Sequence, residues 1–163
     1  MPNIDKTVFI GDGVIITGDV TIGEYSSIFF HTVIRGDVSP TKIGKRVNIQ
    51  DHCLLHQSPN LPLVVEDGVT VGHQCILHSC NIRKNALIGM GSIIMDDVEI
   101  GEGAFIGAGS LVPAGKKIPP HTVAYGRPIK VIRPTSEEDK NDMDRIRESY
   151  VEKGQYYKSL KET

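Results

Sequence analysis

The chain has 163 residues, with 18 Lys and Arg against 20 Asp and Glu and a formal charge of -2. That balance offers no basic excess for nucleic acid or an anionic membrane, and no apolar run nears the roughly 20 residues that a membrane helix needs. The opening MPNIDKTVF lacks a basic segment followed by an apolar one, and three cysteines without paired spacing do not make a disulfide framework, so a cytoplasmic protein is expected.

Seventeen glycines, no Trp and 6% aromatic residues favour repeated tight turns packed with small aliphatic side chains. An aliphatic residue returns at a near-constant stride of six: Ile4, Ile10, Ile16, Ile22, Ile28 and Ile34, then Ile43, Ile49 and Leu55, then Val65, Val71 and Leu77, then Ile82, Ile88, Ile94, Ile100, Ile106 and Val112. Gly often follows, as at Gly11, Gly23, Gly44, Gly72, Gly89, Gly101 and Gly107. A sandwich would alternate with period two, whereas a hexapeptide stride is the signature of a parallel β-helix. At three slots per triangular coil, these slots predict about six coils, each burying its inward face on the next about 4.8 Å away.

Two insertions should interrupt the coil, one around Ser39 to Lys42 and one at Gln57 to Leu63, QSPNLPL, whose prolines suit an ordered exposed loop beside His56. After Val112 the repeat is expected to stop, with residues 113–134 closing the open end as an extended segment. Ser136 reads as an N-cap with Asp139 at the capping-box position. A helix follows from Glu137 to about Lys153, with Met143, Ile146 and Tyr150 as its apolar stripe, and Tyr157 and Leu160 can extend it after Gly154. The domains expected are residues 1–134, the β-helix with its closing segment, and residues 135–163, the helix.

Register places the polar residues. Slots 34, 55 and 77 share one face of successive coils, so Arg35, His56 and His78, each one place later, should stack. Slots 49 and 71 share another, so Asp51 and His73 should stack there. His73 therefore lies on a different face from His56 and His78, and one chain is not expected to close a three-histidine site. Identical prisms around a threefold axis would bring His73 of one subunit to His56 and His78 of another. Three imidazoles suit Zn²⁺, and also Fe²⁺ or Co²⁺. Asp37, near Arg35, can pair with it, while Asn48, Gln50 and Asp51 precede His56 and can position a water or ligand oxygen. His31 and His121 read as structural, His52 as structural or supporting. Cys53, Cys75 and Cys80 fall at inward places and read as buried packing thiols.

These motifs are similar to those of the gamma-class carbonic anhydrases, in their shorter bacterial form. The resemblance runs from about Ile10 to Pro134 and rests on IRGD with Arg35 and Asp37, NIQD with Asn48, Gln50 and Asp51, LLHQ with His56, GHQCILHSC with His73 and His78, and AYGRP with Tyr125. It implies a left-handed β-helical homotrimer with a metal at each subunit interface, held by His56, His73 and His78. It implies an intersubunit pair of Arg35 with Asp37, and contacts of Gln50 and Tyr125 with the solvent on the metal. The activity implied is interconversion of CO₂ and bicarbonate through a hydroxide on the metal; for a local proton relay this sequence offers Asp51, Glu66 or Tyr125. The chain departs from the founding enzyme in two places: QSPNLPL carries no acid where that enzyme has a proton-moving glutamate loop, and Arg127 stands where it has an Asn. Both differences bear on the rate and not on the metal ligands. A hexapeptide-repeat acyltransferase and a non-catalytic metal-binding trimer remain as alternative readings.

Overall fold

A computed structural model describes residues 1–161. The aliphatic slots form three in-register parallel columns. One runs Ile16, Ile34, Leu55, Leu77, Ile94 and Val112. A second runs Ile10, Ile28, Ile49, Val71, Ile88, Ile106 and Ala124. The third runs Ile4, Ile22, Ile43, Val65, Ile82, Ile100 and Ile118. Ile34, Ile49, Leu55, Leu77, Ile82 and Ile88 are wholly buried. Each such side chain contributes roughly 1.5–3 kcal/mol relative to remaining exposed. A strand of two residues is held by that stacking and by its ladder to both neighbouring coils, and no coil could meet its ordering entropy alone.

At two of the prism's edges, the residue three places after a slot takes a left-handed backbone conformation. Tyr25, Arg46, Asn85 and His121 do so at one edge, and His31, His52 and Gln74 at another. His31 and His52 stack there with ring centroids 5.3 Å apart and 12° between planes. His and Asn tolerate this region better than branched residues do. Three of the six histidines thus belong to corners.

The repeat outlasts its expected end. Lys117–Ile118 pairs with Glu99–Ile100, and Thr122–Gly126 pairs with Phe105–Ile106, so Ile118 and Ala124 fill further slots. The solenoid reaches about seven turns. Prolines in the connecting turns obscure this continuation, because Pro at a corner costs no ladder hydrogen bond. Only Ile129–Pro134 turns back, antiparallel on Thr122–Gly126. The expected break around Ser39 to Lys42 is also not a loop. Val33–Ile43 is one continuous strand against Ile15–Ile22, and the additional residues are absorbed by a register shift between Gly18 and Val20.

Helix α1 spans Glu137–Lys161. The Asp139 N–H donates to Ser136 Oγ at 3.1 Å and the Ser136 N–H to Asp139 Oδ2 at 2.7 Å, which is the expected reciprocal cap. The helix runs on past Lys153 through the extension read at Tyr157 and Leu160, with Gly154 facing the coil. A Cβ there would lie 3.0 Å from Ser27 Cβ, so glycine permits close docking. Tyr150 and Tyr157 pack on Phe29, with ring centroids 5.3 and 6.2 Å away, and Tyr157 stacks on Phe9 at 5.6 Å. Residues 162 and 163 of the expected helical region lie outside the described residues. Among the described residues, no helix is long and apolar enough to cross a membrane.

Candidate metal centre

His56 ends the strand Leu54–His56, and His78 ends Ile76–His78 directly above it in register. Parallel stacking holds both imidazoles on one side, with ring centroids 5.3 Å apart. His56 Nδ1 and His78 Nε2 face each other at 3.2 Å. The other nitrogen of each ring meets a carboxylate: His56 Nε2 lies 3.2 Å from Asp37 Oδ1, and His78 Nδ1 lies 2.5 Å from Asp96 Oδ1. A carboxylate only accepts, so it draws the ring proton to the outer nitrogen. With both rings neutral, the inner nitrogens would present opposed lone pairs, an arrangement that a cation between them satisfies. Two tetrahedral bonds of about 2.0–2.1 Å to one ion would set such nitrogens roughly 3.3–3.4 Å apart. The spacing and the donor chemistry therefore fit a divalent cation, with each ligand oriented by a carboxylate.

Both carboxylates are braced. Asp37 Oδ2 accepts from Arg35 Nη1 at 3.2 Å, within the chain, and both side chains stay nearly half exposed. Asp96 Oδ2 accepts from Ser58 Oγ at 2.5 Å. The Ser58 hydroxyl, and after it the His78 ring, hold the Asp96 carboxyl below the usual carboxylate range. Asp96 is absent from the sequence reading. Its signal was available, since Ile94 stacks on Leu77 and the following MDD overhangs LHSC.

His73 follows Thr70–Val71 in the other sheet, above Asp51, as the register required. Its Nδ1 sits 2.8 Å from Asp51 Oδ2, which leaves Nε2 as the ring nitrogen that could ligate a metal. Asp51 is thus placed to orient His73. Among the described residues, no three His, Cys, Asp or Glu side chains of one chain are arranged to hold a metal ion together. Asn48 and Gln50 are buried: Asn48 Nδ2 donates to Thr70 Oγ1 at 2.9 Å, and Gln50 Nε2 donates to Asn48 Oδ1 at 3.0 Å. That bond uses one of the two Nε2 hydrogens, so Oε1 and the second hydrogen are the groups left for a ligand. Tyr125 is 51% exposed and follows Ala124 in the same column as Gln50, four rungs away. The geometry does not bring Tyr125 to the histidines of its own chain.

Gln50 and His73 lie at one side of a largely apolar cavity of about 380 Å³, walled by Leu87, Phe105, Ile146 and Tyr150. Gly72 and Gly89 are part of its floor. A methyl at Gly89 would lie 2.5 Å from the Ala108 nitrogen, and one at Gly72 would lie 2.6 Å from the Met90 nitrogen. On the face of His56 and His78, an outward aliphatic ladder runs Ile15, Val33, Leu54, Ile76, Ile93 and Leu111. Ile15 is 58% exposed, and Leu54 and Ile76 are 38% exposed.

The cysteines take no part. Cys53, Cys75 and Cys80 are buried free thiols. Cys53 Sγ donates to the Gly72 carbonyl at 3.1 Å and Cys75 Sγ to that of Gly89 at 3.2 Å. Burial pushes the Cys80 thiol well up, so it stays protonated.

A family described as bacterial transferase hexapeptide (six repeats) matches residues 79–114. A carbonic anhydrase of Geobacillus kaustophilus is 70% identical over 99% of this chain and 88% of its own. The gamma carbonic anhydrase 2 of Arabidopsis thaliana mitochondria is 35% identical over 97% of this chain and 59% of its own. A solved Bacillus cereus structure, provisionally named an acetyltransferase, superposes with a TM-score of 0.97 at 72% identity, covering 98% of this chain and 92% of that one.

Proposed function

The chain belongs to the gamma-class carbonic anhydrase family, and from that premise we propose that it interconverts CO₂ and bicarbonate at a metal centre shared between copies of the chain in a homotrimer. The observation that carries this reading is the pair of facing ring nitrogens, His56 Nδ1 and His78 Nε2, 3.2 Å apart with Asp37 and Asp96 on their outer sides. A second copy supplies the third ligand, His73, from its other face. Its aliphatic ladder is the kind of surface that a neighbouring chain covers. Zn²⁺ is the cation proposed, with Fe²⁺ and Co²⁺ also served by three imidazoles.

A bound divalent cation would supply the charge that makes water acidic near neutral pH. The chain's own residues do the rest. Asp37, Asp96 and Asp51 fix which nitrogen of each histidine is available. Gln50 presents Oε1 as an acceptor beside His73, anchored through Asn48 to Thr70. The apolar wall of Leu87 and Phe105 beside His73 suits an uncharged CO₂ better than bulk water. Arg35 and Asp37, half exposed, are open to a second chain's pair.

The transferase reading has support from the repeat family and from the acetyltransferase name of the Bacillus cereus structure. The paired, carboxylate-held histidines favour the hydratase, since acyl transfer needs one general base and no second imidazole facing it. Stopped-flow CO₂ hydration on air-protected protein, loaded separately with Zn²⁺, Co²⁺ and Fe²⁺, decides between them. The expected result is turnover above that of the free cation, abolished by His56→Ala. A rate equal to the free cation across metals and pH, with acetyl transfer from acetyl-CoA, would establish the transferase instead.

A further inference from the structure

We infer that the loop of residues 57–63 is a clamp on His78, with Ser58 as a positioning residue that sets the affinity of the metal centre. This deepens the metal-centre reading and rests on it. Three separate pieces of chain meet here. Ser58 comes from the loop, Asp96 follows the strand Ile93–Ile94, and His78 ends the strand between them in the stack. Ser58 Oγ donates to Asp96 Oδ2 at 2.5 Å, and Asp96 Oδ1 receives the His78 Nδ1 proton at 2.5 Å. The carboxylate is held from both ends, so the rotation of the imidazole follows the position of the hydroxyl.

The loop also grips the backbone behind the ring. The Ser58 N–H donates to Ser79 Oγ at 2.7 Å, and Ser79 Oγ donates to the Leu61 carbonyl at 2.7 Å. Ser39 Oγ donates to the Ser58 carbonyl at 3.0 Å, and the Leu61 N–H donates to that same carbonyl at 3.2 Å. Ser79 is 1% exposed and directly follows His78. One turn of loop thus fixes both the partner of the His78 side chain and the residue next to it. His56 is held differently. Among the described residues, its Asp37 is braced by Arg35 alone, at 3.2 Å on an open surface, and the loop's hydroxyls do not enter that contact. The clamp is therefore specific to one of the two ligands on this face. A hydroxyl that aligns a carboxylate, which in turn aligns a ligating histidine, is the arrangement by which outlying groups tune a metal site.

Two readouts on the full chain test this. The first is the ring ¹⁵N spectrum of the metal-free protein. In the wild type His78 is expected in one tautomer, with the proton on Nδ1. In Ser58→Ala it is expected to become a mixture, while His56 is unchanged, and Ser58→Thr is expected to restore the wild-type pattern. The second is Co²⁺ and Zn²⁺ affinity by competition with a chromophoric chelator. Ser58→Ala is expected to bind about 10-fold or more weakly, Ser58→Thr within about threefold of wild type, and isosteric Asp96→Asn about 10- to 100-fold more weakly. A role confined to loop stability would lower the melting temperature but leave the His78 tautomer alone. An unchanged His78 tautomer in Ser58→Ala, with an affinity within twofold of wild type, overturns the clamp whatever Asp96→Asn does. If the wild-type protein takes up neither ion, the metal-centre reading fails, and the ¹⁵N spectra still decide whether Ser58 positions His78.

Discussion

Leu54 and Ile76 sit two residues before His56 and His78 on the same strands, so the outward ladder and the histidine pair belong to one surface. Replacing both with Asp should separate the copies of the chain and thereby empty a metal centre whose two ligands on that face are untouched. Full burial of a Leu or Ile is worth roughly 1.5–3 kcal/mol, so covering the remaining 38% of each contributes about 0.6–1.1 kcal/mol, and the 58% of Ile15 about 0.9–1.7 kcal/mol. Together these three supply on the order of 2–4 kcal/mol per interface. The double substitution removes about 1–2 kcal/mol of that and adds several kcal/mol for desolvating two carboxylates without partners. A loss near 5 kcal/mol corresponds to roughly 10³–10⁴-fold in association. Sedimentation equilibrium, with metal content measured on the same samples, provides the assay. The wild type is expected to be a trimer holding one ion per chain. The variant is expected to be a monomer with an unchanged far-ultraviolet spectrum and no stoichiometric ion. A folded monomer that still binds one ion tightly would refute the shared centre, and a variant as stably trimeric as the wild type would refute the role of the ladder.

A complementary outcome follows for mixed subunits. His56→Ala and His73→Ala should each lack a complete ligand set, but unfolding and refolding the two together should regenerate intact centres at some interfaces, read as recovered Co²⁺ absorption. Gly89→Ala would push a methyl against the Ala108 nitrogen at 2.5 Å and the Ile106 oxygen at 2.7 Å, which are backbone atoms that cannot yield without parting two coils. It should destabilise the fold by about 1–3 kcal/mol in a denaturant titration. Asp139 lies well below the usual carboxylate range because of Arg133 first and the Ser136 N–H next. A carboxyl depressed in the folded state stabilises above its unfolded value, near pH 4, and loses that contribution as pH falls through the folded value. Asp139→Asn should therefore cost about 1 kcal/mol at pH 7, limited by solvent screening of the half-exposed Arg133, and the gap from wild type should close in acid.

Much of the site could be read before any coordinates, and the reason lies in the stride. Once Leu55 and Leu77 are known to stack, His56 and His78 must stack too, which brings their rings within reach of each other. The same logic put Asp51 under His73. It failed where the pattern was disguised. Ala124 is too small to stand out as a slot, and prolines around Ile118 resemble a terminator, so the last turns were missed. Asp96 was missed although its slot was aligned, because the acids of MDD look like those of any exposed turn and declare a role only when His78 Nδ1 is seen beside one of them.

Sequence alone determined the columns. In-register parallel stacking puts every residue with the same offset from its slot into one file, so a one-dimensional period is already a three-dimensional address. It also determined that His73 stands on a different face from His56 and His78. Tertiary structure alone decided which groups reach across files: Ser58 to Asp96, Asp96 to His78, and Gly154 of α1 onto Ser27. Those contacts depend on the path of an inserted loop and the docking of a distant helix, and neither obeys the period that organises the rest.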